Sequence, residues 1–340
     1  MAPSAIDLPP VEAPDSTILA LRKTLTSESS PLASRFRALF SLKHLASTAP
    51  PTSQTLPAIE AIAAAFASPS ALLKHELAYC LGQTRNFAAV SHLTAVLEDR
   101  KEDPMCRHEA AEALGALGHE GSLGLLKSMR DDEGEQTVVR ETCDIAVERI
   151  EWEHSSQRAQ EKLKGSDFAS IDPAPPMAML DGRASDQGID KLEQTLLDDS
   201  KSLFERYRAM FALRDLASPP DLKTAVPAVE ALAKGFGDKS ALFRHEIAFV
   251  FGQLSHPASI PALVKCLSDQ KEESMVRHEA AEALGSLGDE DGVEDTLKQF
   301  VNDPEQVVRE SIIVALDMAD FERAGEKEYA TVPAMAEVVA

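Results

Sequence analysis

The chain is poor in aromatic side chains, in cysteine and in positive charge. Phe, Trp and Tyr make up 5% of its 340 residues, with a single Trp. A core built on stacked rings is excluded. Alanine and leucine dominate instead, which favours helices packed closely on helices. The four cysteines, Cys80, Cys106, Cys143 and Cys266, form no CxxC pair and show no zinc-ribbon spacing. No disulfide framework follows. Each cysteine sits in a helical pattern as a small buried thiol, and a reducing compartment is expected. Lys and Arg number 34 against 56 Asp and Glu, a formal net charge of −22. That balance argues against a nucleic-acid ligand, whose phosphates need a basic surface. It suits a basic partner or substrate drawn in by long-range attraction, or the ordinary surface of an acidic soluble protein. No apolar run approaches the ~20 residues of a membrane span. The opening "MAPSAIDLPPVEAPDSTI" lacks the basic segment and apolar run of a secretory signal. The expectation is a soluble, cytoplasmic protein with neither nucleic acid nor membrane as partner. GxSxG, P-loop and Gly-rich dinucleotide motifs are missing as well.

What the chain does have is repetition. "MCRHEAAEALGALG" begins at Met105 and "MVRHEAAEALGSLG" at Met275, an offset of 170 with twelve of fourteen positions identical. "ALLKHELAYCLGQ" at Ala71 and "ALFRHEIAFVFGQ" at Ala241 share that offset. "RFRALFSLKHLA" at Arg35 answers "RYRAMFALRDLA" at Arg206, and "VVRETCDIAVERI" at Val138 answers "VVRESIIVALDMA" at Val307. Each half therefore holds four related segments in one order. Aligned on Arg37, Lys74, Arg107 and Arg140, then Arg208, Arg244, Arg277 and Arg309, they step by 37, 33 and 33 and by 36, 33 and 32 residues. A period in the thirties with helical patterning means a helical solenoid. Loop signals such as "DRKEDP" and "NDP" precede the helices, with proline placed near a helix start.

The segments resemble the short HEAT-repeat pattern, DPxxxVRxxAAxALGxLG. The resemblance implies antiparallel helix pairs whose second helices line a concave face. The expected fold is all-α: a HEAT-like helical-repeat solenoid of two pseudo-symmetric four-repeat domains, residues 16–151 and 189–325. Between them, 152–188 is polar and lacks a sustained apolar stripe, so it reads as a flexible linker. Residues 1–15 and 326–340 read as tails.

Nine histidines occur, and five are followed by glutamate, where ordinary glutamate frequency would give roughly one. Four of these pairs fall just after the aligned basic residue: His75-Glu76, His108-Glu109, His245-Glu246 and His278-Glu279. The fifth, His119-Glu120, has Asp289-Glu290 as its counterpart and is set aside. The four pairs occupy the second and third repeats of each half; the fourth repeats carry Arg-Glu instead. Packed neighbouring helices lie about 8–10 Å apart, so imidazoles on adjacent repeats can meet at one ion. Ala110, Leu114 and Leu117 form the apolar stripe of their helix. His108 lies about 200° from Ala110 around the axis and Glu109 about 100°, so His108 points away from the packing, into solvent or a groove. Imidazole with carboxylate suits iron, zinc, copper and nickel, and two His with one carboxylate per half match the open triad of non-haem iron oxygenases. Two zinc ions serving a hydrolase remain the competing reading.

The set "KHELAYCLGQ", "RHEAAEALG", "RHEIAFVFGQ" and "RHEAAEALG" resembles the deoxyhypusine hydroxylase family. The resemblance implies a di-iron monooxygenase that hydroxylates the deoxyhypusine side chain of a eukaryotic translation factor to form hypusine, using O2 and a reductant. It implies two Fe ions per chain, His75 and His108 on one and His245 and His278 on the other, with Glu109 and Glu279 as the preferred carboxylate ligands. Glu76 and Glu246 either complete the ligand sets or bind the cationic substrate, with a lean towards the substrate. Glu112 and Glu282, four residues after a histidine, are alternatives, but solvated helix charges are the expectation for them. Met105 and Met275, three residues before a histidine, and Gly82 and Gly252, seven after one, are candidates for substrate contact. Inter-repeat packing and a left-handed helix end are the plainer readings of these. A monomer is expected, cytoplasmic and also nuclear, docking a substrate loop that is basic. The alternatives are a non-enzymatic HEAT scaffold for a basic partner and a HEAT-like bilin lyase, the latter leaving the four His-Glu pairs unexplained.

Overall fold

The computed structural model describes residues 16–161, 168–177 and 186–324, and among them the regular structure is helical throughout. The expected tails 1–15 and 326–340 lie outside the described residues. The first half runs α1 (Ser16–Thr26), α2 (Leu32–Ala46), α3 (Thr55–Ala63), α4 (Ala71–Gly82), α5 (Val90–Glu98), α6 (Pro104–Leu117), α7 (Leu123–Arg130) and α8 (Thr137–Glu153). After the short α9 (Ser156–Gln160), the order repeats as α10 (Asp186–Leu197), α11 (Leu203–Leu216), α12 (Ala225–Ala233), α13 (Ala241–Leu254), α14 (Ile260–Ser268), α15 (Ser274–Gly285), α16 (Val293–Lys298) and α17 (Gln306–Ala324). The all-α HEAT-type solenoid is as expected.

Local chemistry starts these helices. Ser70 and Ser240 accept hydrogen bonds from the backbone N–H of Leu73 and Phe243, capping α4 and α13 alike. Asp103 caps α6 in front of Pro104, and Gly118 ends that helix at φ +67°.

A recurring arginine joins the first helix to the second in five of the eight helix pairs. Nε of Arg35, Arg107, Arg140, Arg206 and Arg277 donates to the carbonyl of the residue ten positions earlier, at 2.8–3.0 Å. Those carbonyls lie at the ends of α1, α5, α7, α10 and α14, where helices leave acceptors unpaired. Four of these arginines are buried and paired: Arg35 with Glu28, Arg107 with Glu135, Arg206 with Asp238 and Arg277 with Asp303. The first repeats are therefore in register on Arg35 and Arg206, not on Arg37 and Arg208 as the spacing suggested. Phe36 and Tyr207 then stand where the central repeats carry histidine.

The halves meet at two seams, α8 against α11 and α13, and α17 against α2 and α4. Across one, the N-cap Ser240 donates to Glu141 at 2.7 Å; across the other, Ser70 donates to Glu310 at 2.6 Å. These glutamates are the Arg-Glu residues of the fourth repeats, so the slot that holds histidine in the central repeats holds the seam in the last. Arg37 adds a two-pronged pair with Asp317, both contacts at 2.9 Å.

Within the expected linker 152–188, the described residues 152–161 and 168–177 are held against the two halves; 162–167 and 178–185 lie outside the described residues. Trp152 is buried, and Asp172, Pro173, Ala174 and Pro175 are buried between the halves. Met177 N–H donates to the Arg208 carbonyl, and Arg208 Nε donates to the Pro175 carbonyl. Prolines and alanine give no periodic pattern, yet they suit an extended strap whose polar atoms are satisfied by side chains from other helices.

Candidate metal centre

The paired capping of α4 and α13 and the close packing of α6 and α15 beside them bring all four His-Glu pairs to one place. His75 to His108, His75 to His278, His108 to His245 and His245 to His278 have ring centroids 5.3–5.4 Å apart, and His75 to His245 is 5.7 Å. Every one is at most 5% exposed, and both ring nitrogens of all four lack a hydrogen-bond partner. Eight orphaned buried nitrogens are costly unless something fills the space between them. His75 Nε2 lies 3.3 Å from Glu109 Oε2 and His245 Nε2 lies 3.4 Å from Glu279 Oε2, without hydrogen-bond alignment. Among the described residues, His75, His108 and Glu109 form one grouping able to hold an ion, His278, Glu279 and Glu282 another, and His75, His245 and His278 a third across the halves.

The electrostatics agree with that geometry. Burial lowers His75, and burial with neighbouring imidazoles holds His108 and His278 well below the usual histidine range. Neutral imidazole is the form that donates a lone pair to a metal. Burial lifts Glu76 to about 7 and Glu109 to about 8, and the nearby Glu279 adds to both. Burial and the same mutual repulsion hold Glu246, Glu112 and Glu282 well above the carboxylate range. A carboxylate cluster of this kind asks for cations, as metal ions or substrate ammonium groups. The donor set thus fits a pair of iron ions.

Around the centre lies a cavity of about 740 Å³, lined by Glu76, Glu109, Glu246 and Glu279 and also by Glu112 and Glu282. These last two are not solvated, contrary to expectation. Ser311 Oγ donates to Glu282 at 3.0 Å, and Glu282 Oε1 sits 3.5 Å from His278 Nδ1. A single helix leaves their face open; Ser311 on α17 of the same half covers Glu282, and His245 and Glu279 of the other half stand near Glu112. At the equivalent places on α4 and α13, Tyr79 and Phe249 meet edge to face at 5.9 Å.

Met105 is buried in the packing of the first half, and Met275 is partly buried against both cores. Neither lines the cavity, so inter-repeat packing is their role here. Gly252 lines the cavity and Gly82 does not. A methyl group on Gly82 would lie 2.8 Å from Ala113 Cα, which shows why α4 and α6 approach so closely. Neither glycine has a positive φ. Sequence reasoning overlooked Phe36, Lys43, Gln83 and Gln253, all cavity residues. The "LGQ" and "FGQ" endings kept in both halves were a signal for the glutamines.

Known proteins match this arrangement. A family model for HEAT repeats covers residues 58–144 and 227–317. The deoxyhypusine hydroxylase of Phaeosphaeria nodorum is 73% identical over 319 residues, 94% of this chain and 96% of that protein. The chain belongs to the deoxyhypusine hydroxylase family. The deoxyhypusine hydroxylase of Aspergillus clavatus is 70% identical over 333 residues, 98% of each chain. The structure of human deoxyhypusine hydroxylase in complex with glycerol aligns with a TM-score of 0.77 at 44% identity, covering 89% of this chain and 96% of that one.

Proposed function

We propose that the chain is a deoxyhypusine monooxygenase that converts deoxyhypusine to hypusine on a eukaryotic translation factor. The observation that carries the reading is the convergence of four unpartnered buried imidazoles among six carboxylates. His75 and His108 with Glu109 would hold one iron, and His245 and His278 with Glu279 the other. When bound, the two irons supply the redox chemistry that activates O2 with an external reductant.

The remaining residues bind and orient. Deoxyhypusine presents a long amine chain, cationic at neutral pH. Glu76 and Glu246 face the cavity, and Glu246 Oε1 is buried without a partner, a ready acceptor for an ammonium N–H. Phe36, Phe40, Phe249 and Val314 give the methylene chain an apolar wall. Holding the target carbon against the centre while excluding water is the chain's main contribution to rate. Gly252 leaves room along that wall.

Two pseudo-symmetric four-repeat domains, 16–151 and 189–325, describe the architecture best, supported by the recurrent arginine and the matched seams. The net charge of −22 supports docking of a basic substrate loop. The protein acts as a monomer in this reading, in the cytoplasm and nucleus, where free buried thiols such as Cys80 persist.

The test is direct. Iron-loaded protein is incubated with a deoxyhypusine-bearing translation factor, reductant and O2, and the product is weighed by mass spectrometry. Gain of one oxygen on the modified residue is expected. Binding without gain of mass, with iron present, would favour the scaffold reading.

A further inference from the structure

The centre is built from matching halves, yet its cavity is one-sided. From α2 and its C-cap the cavity takes Phe36, Phe40, Lys43, His44 and Ser47. Their counterparts on α11 and just beyond its end are Tyr207, Phe211, Arg214, Asp215 and Ser218, and none of these lines it. The difference is the strap, residues 168–177.

Arg214 stands where α2 has Lys43. Lys43 lies beside the cavity, its Nζ 5.1 Å from the Tyr79 ring centre. Arg214 is fully buried, with two bonds to Asp172 at 2.8 and 2.9 Å, and the Phe168 ring lies 4.2 Å from its guanidinium carbon. The strap is also fixed from both halves. Gln83 Nε2 donates to the Ile171 carbonyl at 3.2 Å and its Oε1 accepts from Ile171 N–H at 2.7 Å. Gln253 donates to Ser170 Oγ and accepts from Arg214, both at 2.8 Å. Phe168, Ala169 and Ser170 then form part of the cavity wall.

We propose that the strap closes one of two equivalent routes to the metal centre, so that substrate enters only past the C-terminal end of α2, beside Lys43, His44 and Ser47. This rests on the hydroxylase reading and deepens it. A symmetric cavity would admit a linear cationic chain from either side and present its reacting carbon to either half. With Phe168 and Asp172 filling the α11 side, one approach remains, and the two His-Glu sets stand in unequal positions towards the incoming chain. Phe168, Asp172, Gln83 and Gln253 are positioning residues: they act through the shape of the entrance.

The experiment uses the full, iron-loaded chain. All four native cysteines are buried, so Ser47→Cys offers one exposed thiol at the open mouth, to be labelled with a bulky maleimide. Iron release to bathophenanthroline disulfonate is timed before and after labelling. The same is done in a Phe168→Ala/Gln253→Ala background, which removes the Phe168 ring from Arg214 and the Gln253 hydrogen bond from Ser170 but keeps the Asp172–Arg214 pair. Melting curves check that both proteins are folded. With the native strap, the adduct should slow iron release by about tenfold or more, the effect of shutting solvent from a site. With the loosened strap, the adduct should hardly slow it, because the second route is open. If the adduct fails to slow release from iron-bearing protein with the native strap, the single entrance is wrong and the hydroxylase reading stands. If the adduct blocks release equally in both backgrounds, the strap is not what closes the second route. If the chain takes up no iron, the hydroxylase reading falls and this inference falls with it.

Discussion

Gly82 and Gly252 are counterparts in the two halves, and replacing each by alanine should give opposite results. At Gly82 the new Cβ would lie 2.8 Å from both Cα and Cβ of Ala113. The Ala113 backbone cannot swing away as a side chain would, so α4 and α6 must separate. Overpacking of this kind costs about 1–3 kcal/mol. The gain from replacing glycine in a helix is up to about 1 kcal/mol, and less at Gly82, the last residue of α4. At Gly252 the nearest atoms of Ala283 are 3.4 and 3.5 Å away, ordinary contact distances. Calorimetry should therefore show Gly82→Ala melting roughly 2–6 °C lower, and Gly252→Ala unchanged or up to about 3 °C higher. Function should divide the other way. Gly82→Ala pushes His75 on α4 away from His108 on α6 and weakens iron binding. Gly252→Ala keeps its iron but narrows the cavity, raising KM. If both variants shift the melting temperature alike, or Gly252→Ala suffers more, the close approach of α4 and α6 is not what the glycine serves.

Other expectations follow from the same structure. The Arg277 guanidinium holds buried Asp303 below the usual carboxylate range. That stability is present above the unfolded value of about 3.9 and is lost as pH falls through the lower folded value; an Asp303→Asn variant should show a flatter loss of melting temperature in acid. Stripping metal leaves the six cavity carboxylates and eight imidazole nitrogens without a cation between them. The metal-free chain should show a larger hydrodynamic radius and faster proteolysis, and no change in either would refute a clamping role for the metal. The rate of association with the basic substrate loop should fall steeply between low and physiological salt; stopped-flow rates independent of salt would count against electrostatic docking.

Much of this was legible in the residues. A His-Glu pair kept at one repeat register, while Tyr79 became Phe249 and Cys80 became Val250, marks a constraint on that face alone. Periodicity gave the helices because the solenoid's contacts are nearly all between sequence neighbours. What escaped notice depends on contacts distant in sequence. Glu112 and Glu282 look solvated on an isolated helix because their cover comes from elsewhere, the opposite half for Glu112 and Ser311 on α17 for Glu282. The strap around Asp172 has no periodicity, and its anchors, Gln83, Arg208, Arg214 and Gln253, are distant in sequence. The register error at Arg37 arose because Arg35 and Arg37 are both basic. Only the hydrogen bond from Arg35 to the Leu25 carbonyl, matched by Arg107 to Leu97, tells them apart.

Iron counted per purified chain, in the parent protein and in His108→Ala and His278→Ala, tests the centre most directly. Close to two irons in the parent, with loss of at least one in each variant, is the expected result. An iron-free parent never exposed to chelator, or full iron retained in both variants, would contradict a di-iron site built on the four His-Glu pairs.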